Sequence, residues 1–290
     1  MLIGVTFPQT EIGSDPASIR DYAQAVECMG YRSILAYDHV LGASTATRPN
    51  WSGPYTSETP FHEPFVLFGY LAGLTKHIEL VTGVIILPQR QTALVAKQAA
   101  ALDVLSGGRL RLGVGIGWNE VEYQGLGENF RNRGARSEEQ IALLRALFAE
   151  PVVTFSGRWH SVESAGINPL PVRRAIPIWL GGYAEETLRR VGQLGDGWIA
   201  FRAPDEVLRG QVERIRGYAV EAGRDPGAIG LEGQLSLGRV PEARWAAHAE
   251  AFRALGATHM TINTMGMGLT SPQQHIDALR RAADVLGVKP

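Results

Sequence analysis

The sequence is poor in residues on which several enzyme classes depend. Cys28 is its one cysteine among 290 residues, so an internal disulfide is excluded. The apolar neighbours Ala25, Val26 and Met29 predict that this thiol packs in the interior. Schiff-base aldolases and pyridoxal phosphate enzymes are disfavoured, because no lysine follows a predicted strand. The three lysines are Lys76, Lys97 and Lys289.

Other chemical signatures are also missing. The seven histidines show no ligand spacing, so no metal site is expected, and neither a G-x-S-x-G motif nor a P-loop occurs. A net charge of -1 and a pI near 6.7 disfavour nucleic acid and anionic membranes as partners. The chain opens on a predicted strand and has no apolar run long enough to cross a bilayer. These features predict a cytoplasmic protein that acts on a small molecule.

Short apolar runs alternate with amphipathic segments along the whole chain. The predicted strands are Ile3–Phe7, Ser33–Tyr37, Ile78–Gly83, Leu110–Gly115, Ile176–Gly181, Gly197–Phe201, Ile229–Leu237 and His259–Asn263. Helix N-termini are predicted at Asp15-Pro16, at Ser271-Pro272 and at Ser137, which has Gln140 three residues later. Eight βα units in strict order, without a linker, predict an α/β (β/α)8 TIM barrel forming one domain over residues 1–290.

Two segments do not fit the βα repeat. Residues 42–62 form a long loop after the second strand, rich in Ser, Thr, Pro and Trp. Residues 151–177 contain a predicted hairpin that turns at Ser156-Gly157. Both insertions are expected at the C-terminal face of the barrel, where barrel enzymes carry their active sites.

A glycine run ends the fourth predicted strand. In SGGRLRLGVGIGWN, the third position of a G-x-G-x-x-G motif is occupied by Trp118, so a Rossmann fingerprint is absent. A strand end whose glycines have no side chains, next to a tryptophan, suits a flat ring that lies against the backbone. Gly181-Gly182 before a helix either donates N–H groups to a phosphate or forms an ordinary βα turn.

Several motifs, in this order along residues 1–265, resemble the bacterial luciferase-like superfamily. They are Asp38-His39, Phe61-x-Glu63-Pro64, Leu74-Thr75, Ser106-Gly107-Gly108-Arg109, Gly113-x-Gly115-x-Gly117-Trp118, Arg133 with Glu139, Ile178-x-x-Gly181-Gly182 and Gly195-Asp196-Gly197-Trp198. Within that superfamily the chain is most similar to the branch that depends on the deazaflavin coenzyme F420. The resemblance implies a barrel, commonly dimeric, that binds a flavin or deazaflavin at its C-terminal face. It also implies a cis peptide between Gly83 and Val84.

The resemblance assigns roles to residues at the strand ends. His39 is the expected proton donor or acceptor, with Asp38 as its orienter or as a partner of the ring; a structural histidine is the alternative. The expected cofactor-binding residues are Gly83, Val84, Gly115, Gly117, Trp118, Asn119, Gly181 and Gly182. The loop residues Trp51, Tyr55, Phe61 and His62 are expected either to line the substrate pocket or to act as packing anchors, and Glu122 is expected to reach the ring or the substrate. Arg133 and Glu139 are expected to form a structural ion pair, with substrate binding as the alternative.

The favoured function is hydride transfer between coenzyme F420 and a small organic substrate, in a homodimer. The first alternative is an FMN-dependent monooxygenase that works with a partner flavin reductase. The second is a flavin-binding barrel without catalysis, since a fold alone does not establish chemistry. The sequence leaves the substrate, the use of oxygen and the oligomeric state open.

Overall fold

The computed structural model describes residues 1–290 and contains eleven strands and nine helices. The strands are β1 Leu2–Thr6, β2 Ser33–Ala36, β3 Glu79–Thr82, β4 Ile85–Ile86, β5 Leu110–Gly115, β6 Val153–Ser156, β7 Ser161–Ala165, β8 Ile178–Gly181, β9 Gly197–Ile199, β10 Gly230–Ser236 and β11 His259–Asn263. The helices are α1 Pro16–Cys28, α2 Pro64–Ala72, α3 Thr92–Ser106, α4 Glu120–Gly125, α5 Arg133–Ala149, α6 Glu185–Leu194, α7 Glu206–Glu221, α8 Trp245–Ala254 and α9 Pro272–Leu286.

Parallel pairing closes the strands into a barrel in the order β1, β2, β3, β5, β8, β9, β10, β11. The ring is completed where Leu2 pairs with His259 and Val5 pairs with Ile262. The predicted (β/α)8 barrel is therefore confirmed. Each of the eight predicted strands is present with its ends displaced by at most two residues.

The third strand is interrupted near the C-terminal end of the barrel. Pairing with β2 ends at Thr82, and Ile85 and Ile86 then pair with the end of β5. The intervening peptide between Gly83 and Val84 is cis, as the family resemblance implied. The chain therefore bulges toward the barrel axis at the level where a ligand is expected.

Helix N-termini follow the sequence signals at two of the three predicted positions. The Asp15 carboxylate accepts hydrogen bonds from the N–H groups of Ala17 and Ser18, and Ser271 caps α9 in the same way. The predicted start at Ser137 is wrong. Helix α5 begins four residues earlier, and the Ser137 hydroxyl donates to the Gly134 carbonyl inside the helix.

Buried charge fills the barrel near the N-terminal ends of the strands. The Arg111 guanidinium donates to Glu79 over 2.9 Å and to Glu232 over 2.5 Å, and it stacks on Trp179 at 4.3 Å. These long side chains occupy the axis at that level.

The prediction that Cys28 is buried is wrong, because the residue is exposed. Helix α1 buries Ile19, Tyr22, Ala23 and Val26, which follow the 3.6-residue period of one face. Cys28 lies off that stripe. No helix of the structure has the length and apolar character that a membrane span requires.

The prediction that the second insertion lies at the C-terminal face is wrong, because it connects the end of α5 to the start of β8 and so joins the barrel where a strand begins. Strands β6 and β7 form the expected antiparallel hairpin, between the last residue of α5 and the first residue of β8. At the turn, the Glu139 carboxylate accepts from the N–H groups of Arg158, Trp159 and His160. The hairpin thus packs against α5 and lines no part of the cavity described below.

Candidate active site

A cavity of about 860 Å³ opens at the C-terminal ends of the strands. It is lined by residues of β5, β8, β9, β10 and β11 and by residues that follow β1, β2 and β3. Ten predicted site residues are among them: Asp38, His39, Gly83, Val84, Gly115, Gly117, Trp118, Glu122, Gly181 and Gly182. Four others lie outside the lining, namely Asn119, Trp51, Phe61 and His62.

The bulge after β3 fills the space that the glycines leave. A Cβ atom on Gly115 would lie 2.6 Å from Val84 Cγ2, and one on Gly181 would lie 2.9 Å from Val84 Cγ1. Gly117 has a φ of +65°, and its Cβ would lie 2.7 Å from Ile86 Cγ2. The glycine run therefore admits the bulge side chains. A ring in the cavity would face Val84 rather than lie directly on the glycine backbone.

Asp38 holds the bulge in place. One carboxylate oxygen accepts from the N–H of Ile86 at 3.0 Å, and the other accepts from Arg90 at 2.8 Å. Arg90 also donates to Glu63, the N-cap residue of α2, at 2.8 Å. Asp38 makes no hydrogen bond to His39, so its predicted role as the orienter of that histidine finds no geometric support.

Glu122 is the carboxylate that contacts His39. Its Oε1 atom lies 3.0 Å from His39 Nδ1 and accepts from the N–H groups of Val40 at 2.7 Å and Leu41 at 3.1 Å. Burial by itself raises the pKa of Glu122. The hydrogen bond to His39, together with those N–H groups, outweighs burial and holds this pKa below its usual range. The His39 Nε2 atom has no hydrogen-bond partner within the protein.

Aromatic rings surround the His39 imidazole. Its ring centroid lies 4.8 Å from that of Tyr55, 5.0 Å from Phe61 and 5.7 Å from Trp118. Trp51 packs behind Trp118 at 5.8 Å. Trp51 and Phe61 thus support the cavity wall without lining it, as packing anchors rather than substrate contacts. His62 makes no hydrogen bond within the protein and does not line the cavity.

Asn119 serves a helix rather than the cavity. Its Oδ1 accepts from the N–H of Val121 as the N-cap of α4, and its Nδ2 donates to the Leu41 carbonyl at 3.3 Å. This helix was absent from the sequence prediction, although an asparagine followed by two glutamates is a recognisable start signal. Helix α4 is what brings Glu122 back to His39.

The Gly181-Gly182 turn opens α6 toward the cavity. Gly182 has a φ of +125°, and its carbonyl accepts from Trp198 Nε1 at 2.9 Å. The N-cap residue Ala184 has no side chain able to accept, so the first N–H groups of α6 are available to an anion. Glu185, in that first turn, pairs outward with Arg214 at 2.8 Å.

A polar wall faces the cavity from β2, β10 and β11. Gln234 Nε2 donates to Tyr37 Oη at 3.0 Å and to Thr6 Oγ1 at 3.1 Å. Burial raises the pKa of Tyr37 to about 12, so the phenol is neutral and has a proton to donate. Three further residues contribute to this wall, namely Ser236, Arg239 and Asn263.

Sequence reasoning missed this wall although a signal existed. Glu232, Gln234 and Ser236 alternate with apolar or small residues along β10. A period of two places alternate side chains on the inner face of a barrel strand.

The predicted ion pair between Arg133 and Glu139 is absent. Arg133 stacks on Phe130 at 3.7 Å and donates to the Phe130 carbonyl. Glu139 pairs instead with His160 of the hairpin at 2.7 Å. Both residues are structural, but they serve different neighbours.

The cavity suits a flavin-like group by three independent properties. Its volume lies within the usual range for small-molecule sites. One wall is apolar and flat at Val84, and the other offers hydrogen bonds. The open N-terminus of α6 provides donors for a phosphate. The structure contains no cluster of three or more His, Cys, Asp or Glu residues able to hold a metal ion.

Comparisons with known proteins agree with this architecture. An uncharacterised protein of Mycobacterium tuberculosis is 33% identical over 208 residues, which span 70% of this chain and 71% of that protein. An F420-dependent secondary alcohol dehydrogenase in complex with an F420–acetone adduct superposes with a TM-score of 0.78 at 19% identity, covering 98% of both chains.

A riboflavin lyase with modified FMN and riboflavin superposes with a TM-score of 0.80 at 16% identity, covering 100% of this chain and 92% of that one. At these identities the two structures establish the shared fold. The family model for luciferase-like monooxygenases matches residues 2–285. The chain therefore belongs to the luciferase-like monooxygenase family.

Proposed function

We propose that the protein is an oxidoreductase that transfers a hydride between coenzyme F420 and a small organic substrate. The observation that carries this proposal is the state of His39. One of its ring nitrogens is held by a buried carboxylate, and the other is free at the cavity. This is the arrangement of a group that gives or takes a proton.

The proposed cofactor contacts follow from the walls of the cavity. The ring would lie against Val84, which Gly115 and Gly181 allow to project, with Trp118 at its edge. A phosphate would accept from N–H groups at Gly182 and the first turn of α6. When bound, the deazaflavin supplies or accepts the hydride.

His39 would complete the reaction by handling the proton. Hydride addition to a carbonyl carbon leaves negative charge on the oxygen, which a protonated imidazole neutralises. In the opposite direction the neutral imidazole removes the alcohol proton. Both steps need a histidine nitrogen free at the cavity, and Nε2 meets that need.

An FMN-dependent monooxygenase with a partner reductase is the second candidate. It is supported by the description of the family and by FMN in a protein of the same fold. Its ring would occupy the same wall. The two candidates differ in their use of oxygen, because replacing N5 with carbon suppresses the reaction of the reduced ring with O2.

Cofactor titration separates these candidates. We expect oxidised and reduced F420 to change in absorbance and fluorescence on binding, with no oxygen uptake by the reduced complex. Tight FMN binding with oxygen uptake would support the second candidate instead. Binding of either cofactor without turnover of any carbonyl or alcohol tested would support a flavin-binding barrel.

Substitution of His39 tests the proton-transfer role. His39→Ala should lower turnover more than tenfold while the dissociation constant for the cofactor changes little. His77→Ala is the matched control, because His77 is exposed and outside the cavity. Unchanged turnover in H39A would remove His39 from the mechanism.

Three further properties stay predictions: a single domain over residues 1–290, a homodimer and a cytoplasmic location. Limited proteolysis tests the first, sedimentation the second and cell fractionation the third.

A further inference from the structure

We propose that Glu122 is a positioning residue that keeps a proton on Nδ1 of His39 and leaves Nε2 as the nitrogen that exchanges protons at the cavity. The placement of the Nδ1 proton follows from this chain's own contacts. The exchange with substrate rests on the function proposed above. Sequence reasoning had placed Glu122 in the substrate pocket and had no carboxylate partner for His39 other than Asp38.

Because of its other hydrogen bonds, Glu122 can only accept a hydrogen bond from His39. Its side chain is 1% exposed, and Oε1 is the acceptor for the N–H groups of both Val40 and Leu41. Backbone N–H groups only donate, so that oxygen cannot also carry a proton. The Nδ1 atom, 3.0 Å away, must therefore be the donor. Its N–H fixes both the tautomer and the orientation of the ring.

No other charged group competes for His39. Asp38 is its chain neighbour, but both oxygens of Asp38 are engaged by Ile86 N–H and Arg90. Tyr55 packs against the imidazole ring, and burial raises the pKa of this phenol, so it remains neutral. Phe61 and Trp118 do not titrate. The ionised partner of His39 is thus Glu122 alone.

The same carboxylate anchors the first residues of the long loop. Val40 and Leu41 begin the segment that carries Tyr55 and Phe61 over His39. Gln89 Nε2 approaches the second carboxylate oxygen at 3.4 Å. Glu122 therefore joins the imidazole, the loop and the turn after β4 through one buried group.

Nuclear magnetic resonance of histidine-labelled protein, without cofactor, tests the proposal directly. Long-range ¹H–¹⁵N spectra distinguish the two tautomers, and loss of one signal set in H39N assigns His39. We expect the Nδ1–H tautomer in the wild type. In E122Q, which keeps an acceptor but loses the charge, the share of the Nδ1–H tautomer should fall, because the acceptor facing Nδ1 is weaker.

The control variant is E120Q, which changes an exposed glutamate in the first turn of the same helix and should show the wild-type share of the Nδ1–H tautomer. An Nε2–H tautomer in the wild type, or a tautomer distribution in E122Q equal to that of the wild type, would overturn the proposal. Thermal unfolding of each variant verifies that it is folded. Because E122Q retains the acceptor for Val40 and Leu41, it remains informative if E122A fails to fold.

Turnover provides a second and separate measurement. With the cofactor that supports activity, E122Q should lose more than tenfold in kcat, while KM and the cofactor dissociation constant change by less than about threefold. If no substrate turns over, the function proposed above is in doubt, but the spectra still decide whether Glu122 sets the tautomer.

Discussion

Gly115→Ala should destabilise the protein by crowding the bulge. The new Cβ would lie 2.6 Å from Val84 Cγ2. Ordinary carbon contacts are 3.5–4.0 Å, so the side chain must retreat by about 1 Å. Retreat is restricted, because the other methyl of Val84 already fills the space over Gly181. Overpacking of this kind costs about 1–3 kcal/mol of the free energy of unfolding.

Urea denaturation of four proteins measures this cost: the wild type, G115A, V84A and the double variant. Val84→Ala removes both methyl groups, so the double variant should be more stable than the sum of the single effects by about 1 kcal/mol. Gly217→Ala is the control, because its Cβ meets nothing within 4 Å and Ala is the better helix former. G115A should also weaken flavin or deazaflavin binding. Unchanged stability and unchanged affinity in G115A would refute the reasoning that this glycine exists to admit Val84.

Three further measurements follow from other parts of the structure. Burial, Arg111 and the terminal amine lower the pKa of His259 from 6.5 to about 3. Between pH 3 and pH 6.5, His259 is protonated in the unfolded state and neutral in the folded state. The free energy of unfolding therefore decreases as the pH falls, by up to about 2 kcal/mol from pH 7 to pH 5. His259→Gln should reduce that loss in urea titrations, and an unchanged pH dependence would contradict it. The exposed Cys28 should react with a thiol reagent in the folded protein at a rate within about tenfold of its rate in the urea-unfolded protein. A much slower reaction in the folded protein would mean that the thiol is buried. Asn119→Ala should lower the free energy of unfolding by about 1 kcal/mol through the lost α4 cap, and Asn119→Asp should recover only part of it, because it keeps the cap acceptor but cannot donate to the Leu41 carbonyl.

The repeating pattern of the chain was sufficient to predict the barrel. Strand β5 and strand β11 match their predicted ends to the residue, because each is a short apolar run bounded by turn residues. Helix α9 matches for the same local reason, with a serine cap and Pro272 at its first position. Signals of this kind act over a few residues, which is the range that a sequence pattern reports.

The hydrogen-bond partners of the site residues could not be predicted in this way, because they depend on which strand ends lie next to each other in the barrel. Sequence reasoning gave His39 only Asp38, its chain neighbour, as a carboxylate partner and placed Glu122 in the substrate pocket. The structure assigns the contact to Glu122, 83 residues away, because α4 turns back over the end of β5. Asp38 is drawn to the bulge by the N–H of Ile86.

The glycine run was correctly predicted to lie at the cavity, but the reason given for its glycines was incomplete. A bare strand end was expected to expose backbone to a flat ligand. In the barrel, the neighbouring third strand bulges into that space, so the glycines at positions 115, 117 and 181 are required by Val84 and Ile86. The ligand wall is thus built in two layers, with glycine behind and an aliphatic side chain in front. Only the pairing of Ile85 with Val114 across β4 and β5 brings those layers together, and no spacing within either segment specifies that register.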